Sequence, residues 1–361
     1  MKKKLKIFFL APGNSVHSFR WIKKFSSNNK VYWHYTGKLN YKLNGINLQK
    51  LPDGLLLLVS PFIFLLNIIL VKPDIIHVHS ISKNLFISLF AVLFYKKKVI
   101  LTPWGSDFFF PNPLVKFLQL FINKNIIFTD SFIIKNKLEK KNKVYKINFG
   151  VNLSYFKQKK IKKLYKTKNL IFCPRGYNPI YNQMLILKFI KMNKKKLKNF
   201  IFIFSGMIDD LEFNNIKVYT NKYKLTNMVE LYGSLNKDLY TRYLREAFLV
   251  ISASKSDAGL SSSIAEAMSC ESIVMCTNNR DNPYWIKHGS NGFLFKNNSI
   301  KDFSKQFFKI CNLSKMKKNL IKKSARKNIA KRTCKQVTVS LCIHLPSAFP
   351  PPCRATPTAT R

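Results

Sequence analysis

The sequence predicts an α/β protein made of two doubly wound, Rossmann-like domains. Short, continuous apolar runs recur along the chain, helical stretches separate them, and a Lys-rich interruption divides the pattern into two similar halves. Apolar strands alternating with helices form a parallel sheet covered on both faces. In the first half the expected strands are Lys6–Leu10, Val31–Tyr35, Ile75–His79, Val99–Thr102, Ile126–Thr129 and Val144–Ile147, with helices such as Val16–Ser26 and Asn84–Phe94 between them. In the second half they are Leu170–Cys173, Phe200–Ser205, Lys217–Tyr219, Leu249–Ser252, Ile273–Thr277 and Gly292–Phe295. The expected boundaries are a first domain over 1–156, a linker over 157–168, a second domain over 169–332 and an atypical tail over 333–361. Two such domains would face each other across a cleft, with ligands held outside the C-terminal strand ends.

The tail departs from the rest in composition. Five of the 15 prolines and three of the seven cysteines lie in its 29 residues, and Asn disappears. It reads as out-of-frame or otherwise foreign sequence, or else as a functional Pro/Thr-rich extension. Disorder is expected from 333 onward in either case.

A length of 361 residues suits two domains with substantial cores, and 47% hydrophobic content excludes a disordered polycation. The net charge of +47 invites a nucleic-acid reading, but only nine of the 63 basic residues are Arg. Base-reading and phosphate-clamping surfaces favour Arg forks. Lys, Asn, Ile, Phe and Tyr are inflated together, as in drift toward AT-rich codons, so no nucleic-acid partner is expected. A basic surface facing an anionic membrane fits better. Cys173, Cys270, Cys276 and Cys311 are scattered without metal-site spacing, which fits a reducing, cytoplasmic setting.

Met1–Leu10 resembles a signal peptide, but its apolar core is short and runs into Pro12-Gly13-Asn14, as a first buried strand would. Leu55–Val71 is the one candidate membrane span. At 17 residues, with Pro61 and Asn67 inside it, it reads as a buried or membrane-grazing helix instead.

The segment Ser254-Lys-Ser-Asp-Ala-Gly-Leu-Ser-Ser-Ser-Ile-Ala-Glu266-Ala-Met-Ser-Cys270 carries the most chemistry. Apolar runs flank it, so it reads as strand, small-residue loop, helix, strand. A Gly/Ser loop feeding a helix start leaves backbone N–H groups unmet beside the positive end of the helix dipole, a place suited to a diphosphate. Glu266, one turn in, suits vicinal hydroxyls such as those of a ribose. Ser263-Ile-Ala-Glu266 is equally a capping box, which would explain both residues by helix stability alone.

Taken together, several segments resemble the family 4 glycosyltransferases, which have the two-domain GT-B fold. The likeness runs from about Lys4 to Lys331. It is carried by Pro12-Gly-Asn-Ser-Val-His-Ser-Phe-Arg-Trp21, Lys72-Pro-Asp-Ile-Ile-His-Val-His-Ser80, Thr102-Pro-Trp-Gly-Ser-Asp107, Phe149-Gly-Val-Asn-Leu-Ser-Tyr-Phe156, Val229-Glu-Leu-Tyr-Gly233, the Glu266 segment and His288-Gly-Ser-Asn-Gly-Phe-Leu-Phe295. The resemblance implies that Glu266 holds the donor ribose. Leu260, Ser261 and Ser262, with Ser263 at the helix start, would meet the diphosphate, and Val229, Glu230 and Gly233 the base. Arg175 would neutralise the leaving diphosphate. His79 would face the sugar, with Gly13, Asn14, Ser15, His17 and Trp104 on the acceptor side. No Asp-x-Asp triplet is present to bridge phosphate through a metal. No metal site and no cofactor are implied, the nucleotide sugar being a substrate.

Each assignment has a plainer rival. His77 or His79 could be a core histidine, Trp104 could simply pack, Asn14 and Ser15 could cap a helix, and Arg175 could pair with a surface carboxylate. The pattern also departs from the family's in places. The usual acidic residue before the helix glutamate falls on Ala258, with Asp257 one place earlier as a substitute. The lysine that commonly follows the arginine is missing from Arg175-Gly-Tyr-Asn-Pro-Ile-Tyr-Asn182. Glu271 replaces a glycine, and Arg280 in Asn278–Asn282 could supply compensating charge. The expected function is transfer of a sugar from a nucleotide-sugar donor to a glycan or lipid-linked acceptor in surface polysaccharide or lipopolysaccharide synthesis. Retention and a peripheral position on the inner membrane face are expected with it. The alternatives are a GT-B-fold nucleotide-sugar epimerase and an inactive nucleotide-sugar-binding relic.

Overall fold

The computed structural model describes residues 4–342 except 96, 97, 110, 112, 119, 121, 123, 124, 148, 149 and 160. The chain forms two compact units: Met1–Ile147 together with the chain from Val337 on, and Asn148–Gln336.

The first unit holds a sheet of seven parallel strands, β1 (Lys6–Leu10), β2 (Lys30–Tyr35), β3 (Asn47–Lys50), β4 (Ile75–His79), β5 (Lys98–Thr102), β6 (Ile126–Thr129) and β7 (Lys143–Lys146), in the order β3-β2-β1-β4-β5-β6-β7. Strand β1 is central because Ile7 to Leu10 are apolar on both faces and fully buried. Phe9 registers against Trp33 on one side and His77 on the other. The Trp33 indole N–H, which burial would otherwise leave unmet, donates to the Ala11 carbonyl at 3.0 Å.

Strand β3 was not expected. Its sequence, Asn-Leu-Gln-Lys, has no apolar run because it is an exposed edge paired only to β2. The expected helix Asn84–Phe94 is broken into Lys83–Ile87 and Leu89–Phe94. At the break the Ser88 hydroxyl donates to the Asn84 and Leu85 carbonyls, competing with the backbone ladder.

The second unit holds six parallel strands, β8 (Asn169–Cys173), β9 (Phe200–Phe204), β10 (Val229–Leu231), β11 (Leu249–Ser252), β12 (Val274–Asn278) and β13 (Phe293–Lys296), in the order β10-β9-β8-β11-β12-β13. Side-chain alternation splits its core in two. Ile171, Phe202, Phe204 and Ile251 face the helices Gln183–Met192 and Ile300–Cys311. Leu170, Phe172, Val250 and Val274 face Lys237–Glu246 and Ser262–Ser269.

One sequence expectation is corrected here. Lys217–Tyr219 is not a strand but part of the helix Asp210–Lys222, started by the Asp209 carboxylate accepting from Glu212 N–H and held by buried Ile216 and Thr220 one turn apart. The second compact unit spans Asn148–Gln336. Val151 and Phe156 pack into its core, and Leu164 and Tyr165 of the expected linker donate their N–H groups to Glu246 at 2.9 Å. The helix Lys315–Cys342 runs into the first ten residues of the expected tail. The remainder of the tail lies outside the described residues.

Candidate active site

In the second unit Arg175, Gly233, Asp257 and Arg280 lie beyond the C-terminal ends of parallel strands, while Val229 and Glu230 lie within β10 itself. The strand order reverses between β8 and β11, the crevice where doubly wound sheets bind ligands. The loop after β11 turns at Gly259, whose φ of +70° suits glycine, and its N–H donates to Asp281 Oδ2 at 2.8 Å. The helix Ser262–Ser269 follows, with Ser261 as N-cap and no side-chain capping bond. Ile264 and Ala265 N–H return to the Ser261 carbonyl. Among the described residues no protein acceptor meets the N–H groups of Leu260, Ser261 and Ser262. These are the orphan donors of a helix start.

The capping-box reading of Ser263 and Glu266 does not hold. With Ser261 as N-cap, Ser263 is already inside the first turn and Glu266 lies beyond the position that reaches back. Instead the Glu266 carboxylate is buried and its Oε2 accepts from the Tyr240 hydroxyl at 2.9 Å. Burial and this carboxylate together push the Tyr240 hydroxyl well above the usual phenol range.

Arg175 follows β8. Its Nη2 donates to Asp257 Oδ1 at 2.6 Å and its Nε to Ser254 Oγ at 3.2 Å, while the guanidinium lies 4.6 Å from the Tyr181 ring centre. The rival reading of Arg175 as paired with a surface carboxylate is not realised: its partner is buried Asp257, in the candidate site itself. Asn282 Nδ2 approaches the other Asp257 oxygen at 3.4 Å. The turn after Arg175 demands glycine: Gly176 and Gly206, with φ of +76° and +136°, approach so closely that a Cβ on Gly206 would lie 2.6 Å from Gly176 N.

Val229 to Leu231 form β10, and Gly233 follows, its carbonyl accepting from Gly206 N–H at 3.2 Å. Glu230 is tied down by the Tyr165 and Tyr232 hydroxyls, each donating at 2.7 Å. Arg280 sits exposed on the turn after β12, at φ +39°.

The first unit gathers its candidates at the ends of the adjacent strands β1, β4 and β5. His77 Nε2 bonds Thr102 Oγ1 at 2.8 Å, which makes it a core histidine. His79, the last residue of β4, is buried with both ring nitrogens unpartnered among the described residues. Burial, with repulsion from His17, pushes its imidazole down to about 3, so it is neutral. His17 and Trp104 lie ring to ring at 6.4 Å. Ser15 caps the helix Val16–Ser26 through Ser18 N–H, as its plainer reading had it. Asn14 is exposed. Gly13 is required by its own chain: a Cβ there would lie 2.8 Å from the Lys38 carbonyl.

Several residues escaped the sequence reading. Tyr240, Tyr181 and Asn282 come from elements without a recognisable motif. Asp107 accepts from Ser80 Oγ and from Ile81 and Trp104 N–H, holding the turn after His79 at Ser80 φ +62°. One signal was available: of only 16 acidic residues, Asp107, Asp257, Glu266 and Asp281 are buried, all at these two sheet edges or on the helix beside them.

Two doubly wound parallel sheets, each with its polar groups collected at the strand C-termini, define a two-domain α/β protein of the nucleotide-handling kind. Residues 154–327 match the family of glycosyl transferases group 1, and residues 6–148 match the glycosyl transferase 4-like family. The chain belongs to the family 4-type GT-B glycosyltransferases. An uncharacterized glycosyltransferase of Methanocaldococcus jannaschii is 26% identical over 259 residues, which span 66% of this chain and 65% of that relative's length. A glycosyltransferase from Rickettsia africae superposes with a TM-score of 0.73 at 17% identity, over 92% of this chain and 95% of that one. Anabaena HepE, solved with UDP and glucose, gives 0.75 at 17% identity, over 91% and 95%.

Proposed function

We propose that the protein transfers a sugar from a nucleotide-sugar donor to a glycan or lipid-linked acceptor. The observation that carries this reading is Glu266: a buried carboxylate, held by Tyr240, one turn from the unmet N–H groups of Leu260 to Ser262. A helix start with orphan donors suits a diphosphate, and a fixed carboxylate suits the ribose hydroxyls. HepE, of the same fold, binds UDP-glucose.

In this reading the nucleoside diphosphate departs against the N–H groups at the helix start, with Arg175 countering the charge that develops. The acceptor hydroxyl attacks from the same face and its proton passes to the departing phosphate oxygen, giving retention without a protein base. Neutral His79 faces the sugar. Transfer of a hexosyl group without a metal, in surface polysaccharide synthesis, is the most specific form of the proposal. A panel of UDP-, GDP- and CMP-sugars tests it, with and without glycan acceptors, by release of free nucleotide. Acceptor-dependent release supports transfer. Conversion of donor without acceptor would mean an isomerase, and binding without release would mean a relic.

A further inference from the structure

We propose that the outer face of Gly54–Val71, with Phe94 beside it, lies in the surface of an anionic bilayer. The segment is a 3₁₀ turn, Gly54–Val59, running into the helix Ser60–Val71. Its two faces differ sharply. Ser60, Phe64 and Ile68, four residues apart, are buried, and Phe64 and Ile68 join Phe8, Leu10 and Ile76 in the core. Phe62, Leu66 and Leu70 repeat with the same spacing on the opposite side and are exposed, Leu70 to 72%; in the preceding turn Leu55 is 98% exposed. The neighbouring helix Leu89–Phe94 extends this face: Phe62 lies 5.9 Å from Phe90, and Phe94 is 72% exposed. Exposed apolar surface this continuous marks a docking face.

Charge selects the occupant. No acidic residue occurs from Gly54 to Lys72, and Asp53, at its start, is neutralised by Lys83 at 3.1 Å. Exposed Lys50 and Lys72 flank the segment. An apolar face bordered by lysines fits anionic headgroups over acyl chains. A second copy of a chain carrying +47 would be repelled from it.

The segment is as long and apolar as a membrane span. Spanning would pull Phe64 and Ile68 out of the core, so the helix lies on the bilayer rather than across it. Both ends are pinned. Ser60 Oγ donates to the Pro52 carbonyl at 2.7 Å, and Lys72, at φ +52°, closes the helix through its N–H to the Ile68 carbonyl.

Flotation of the full chain with phosphatidylcholine vesicles, with and without phosphatidylglycerol, tests the proposal; it needs no turnover and stands apart from the sugar-transfer reading. Binding is expected only with phosphatidylglycerol, to be released by alkaline carbonate, and to fall about tenfold or more in Phe62→Glu/Leu66→Glu with an unchanged melting temperature. Exposed Leu70→Glu alone, giving a smaller loss, guards against a folding defect in the double variant. No binding of the parent chain, equal binding of the variants, or resistance to carbonate would overturn it. So would a dimer in solution that the double variant dissociates.

Discussion

The Arg175 guanidinium is held 2.6 Å from the buried Asp257 carboxylate, at the edge where strand order reverses. In the proposed reaction this pairing would hold Arg175 where it can meet the departing phosphate. It also gives Asp257 a duty other than touching the donor sugar. Asp257→Asn keeps the shape and removes the charge. Affinity for the bare nucleoside diphosphate is expected to fall about tenfold, as for loss of a charge-assisted bond of roughly 1.5–3 kcal/mol. An Asp257 that contacts the sugar would leave that affinity unchanged and alter only the affinity for intact donor.

Glu266→Ala is expected to weaken nucleotide binding by about 1.5–3 kcal/mol, read by calorimetry, while Tyr240→Phe costs less because it only loosens the carboxylate. A helix cap would instead show itself as lost thermal stability with nucleotide affinity intact.

Acid should unfold the first unit through its buried histidines. Burial lowers His34 to about 4 and His79 to about 3, and lowers His77 well below the ordinary value. These groups bind protons in the unfolded chain before they do in the folded one. Their stabilisation is complete above about pH 6.5, the unfolded value, and is lost as the pH falls toward 4 and 3. Each group adds a slope of up to about 1.4 kcal/mol per pH unit within that window. Melting temperatures measured from pH 7 to 4 should fall steeply, and His34→Phe should flatten the fall.

Glu271 follows the helix Ser262–Ser269 in a left-handed conformation at φ +59°, where Ser272 N–H closes onto the Ala267 carbonyl. Glycine suits that position, and the ion pair that Glu271 makes with Arg326 is long at 3.9 Å. Glu271→Gly is expected to stabilise the protein by about 1 kcal/mol, seen as a rise in melting temperature.

Much of this was legible in the sequence because strands such as Ile7–Leu10 and Leu249–Ser252 are buried on both faces and so read as unbroken apolar runs. Lys217–Tyr219 misled because Ile216 and Val218 alternate with polar residues, although Val218 is in fact exposed and only Ile216 and Thr220 are buried. Polar β3 has no apolar pattern, since it is an exposed edge strand paired to β2. In the site, Arg175 and Glu266 could be found from local motifs. Their pairings could not: Asp257 lies 82 residues from Arg175, and Tyr240 lies 26 from Glu266 on another helix. The Ser263–Glu266 spacing was ambiguous until the start of the helix was fixed at Ser262.

Calorimetric titration of the full chain with UDP, GDP and CMP, repeated on Glu266→Ala and Arg175→Ala, tests the central claim most directly. One nucleotide should bind the parent chain and lose about tenfold or more in each variant. Absence of binding by all three, or binding that neither substitution changes, would contradict the claim that this edge holds a nucleoside diphosphate.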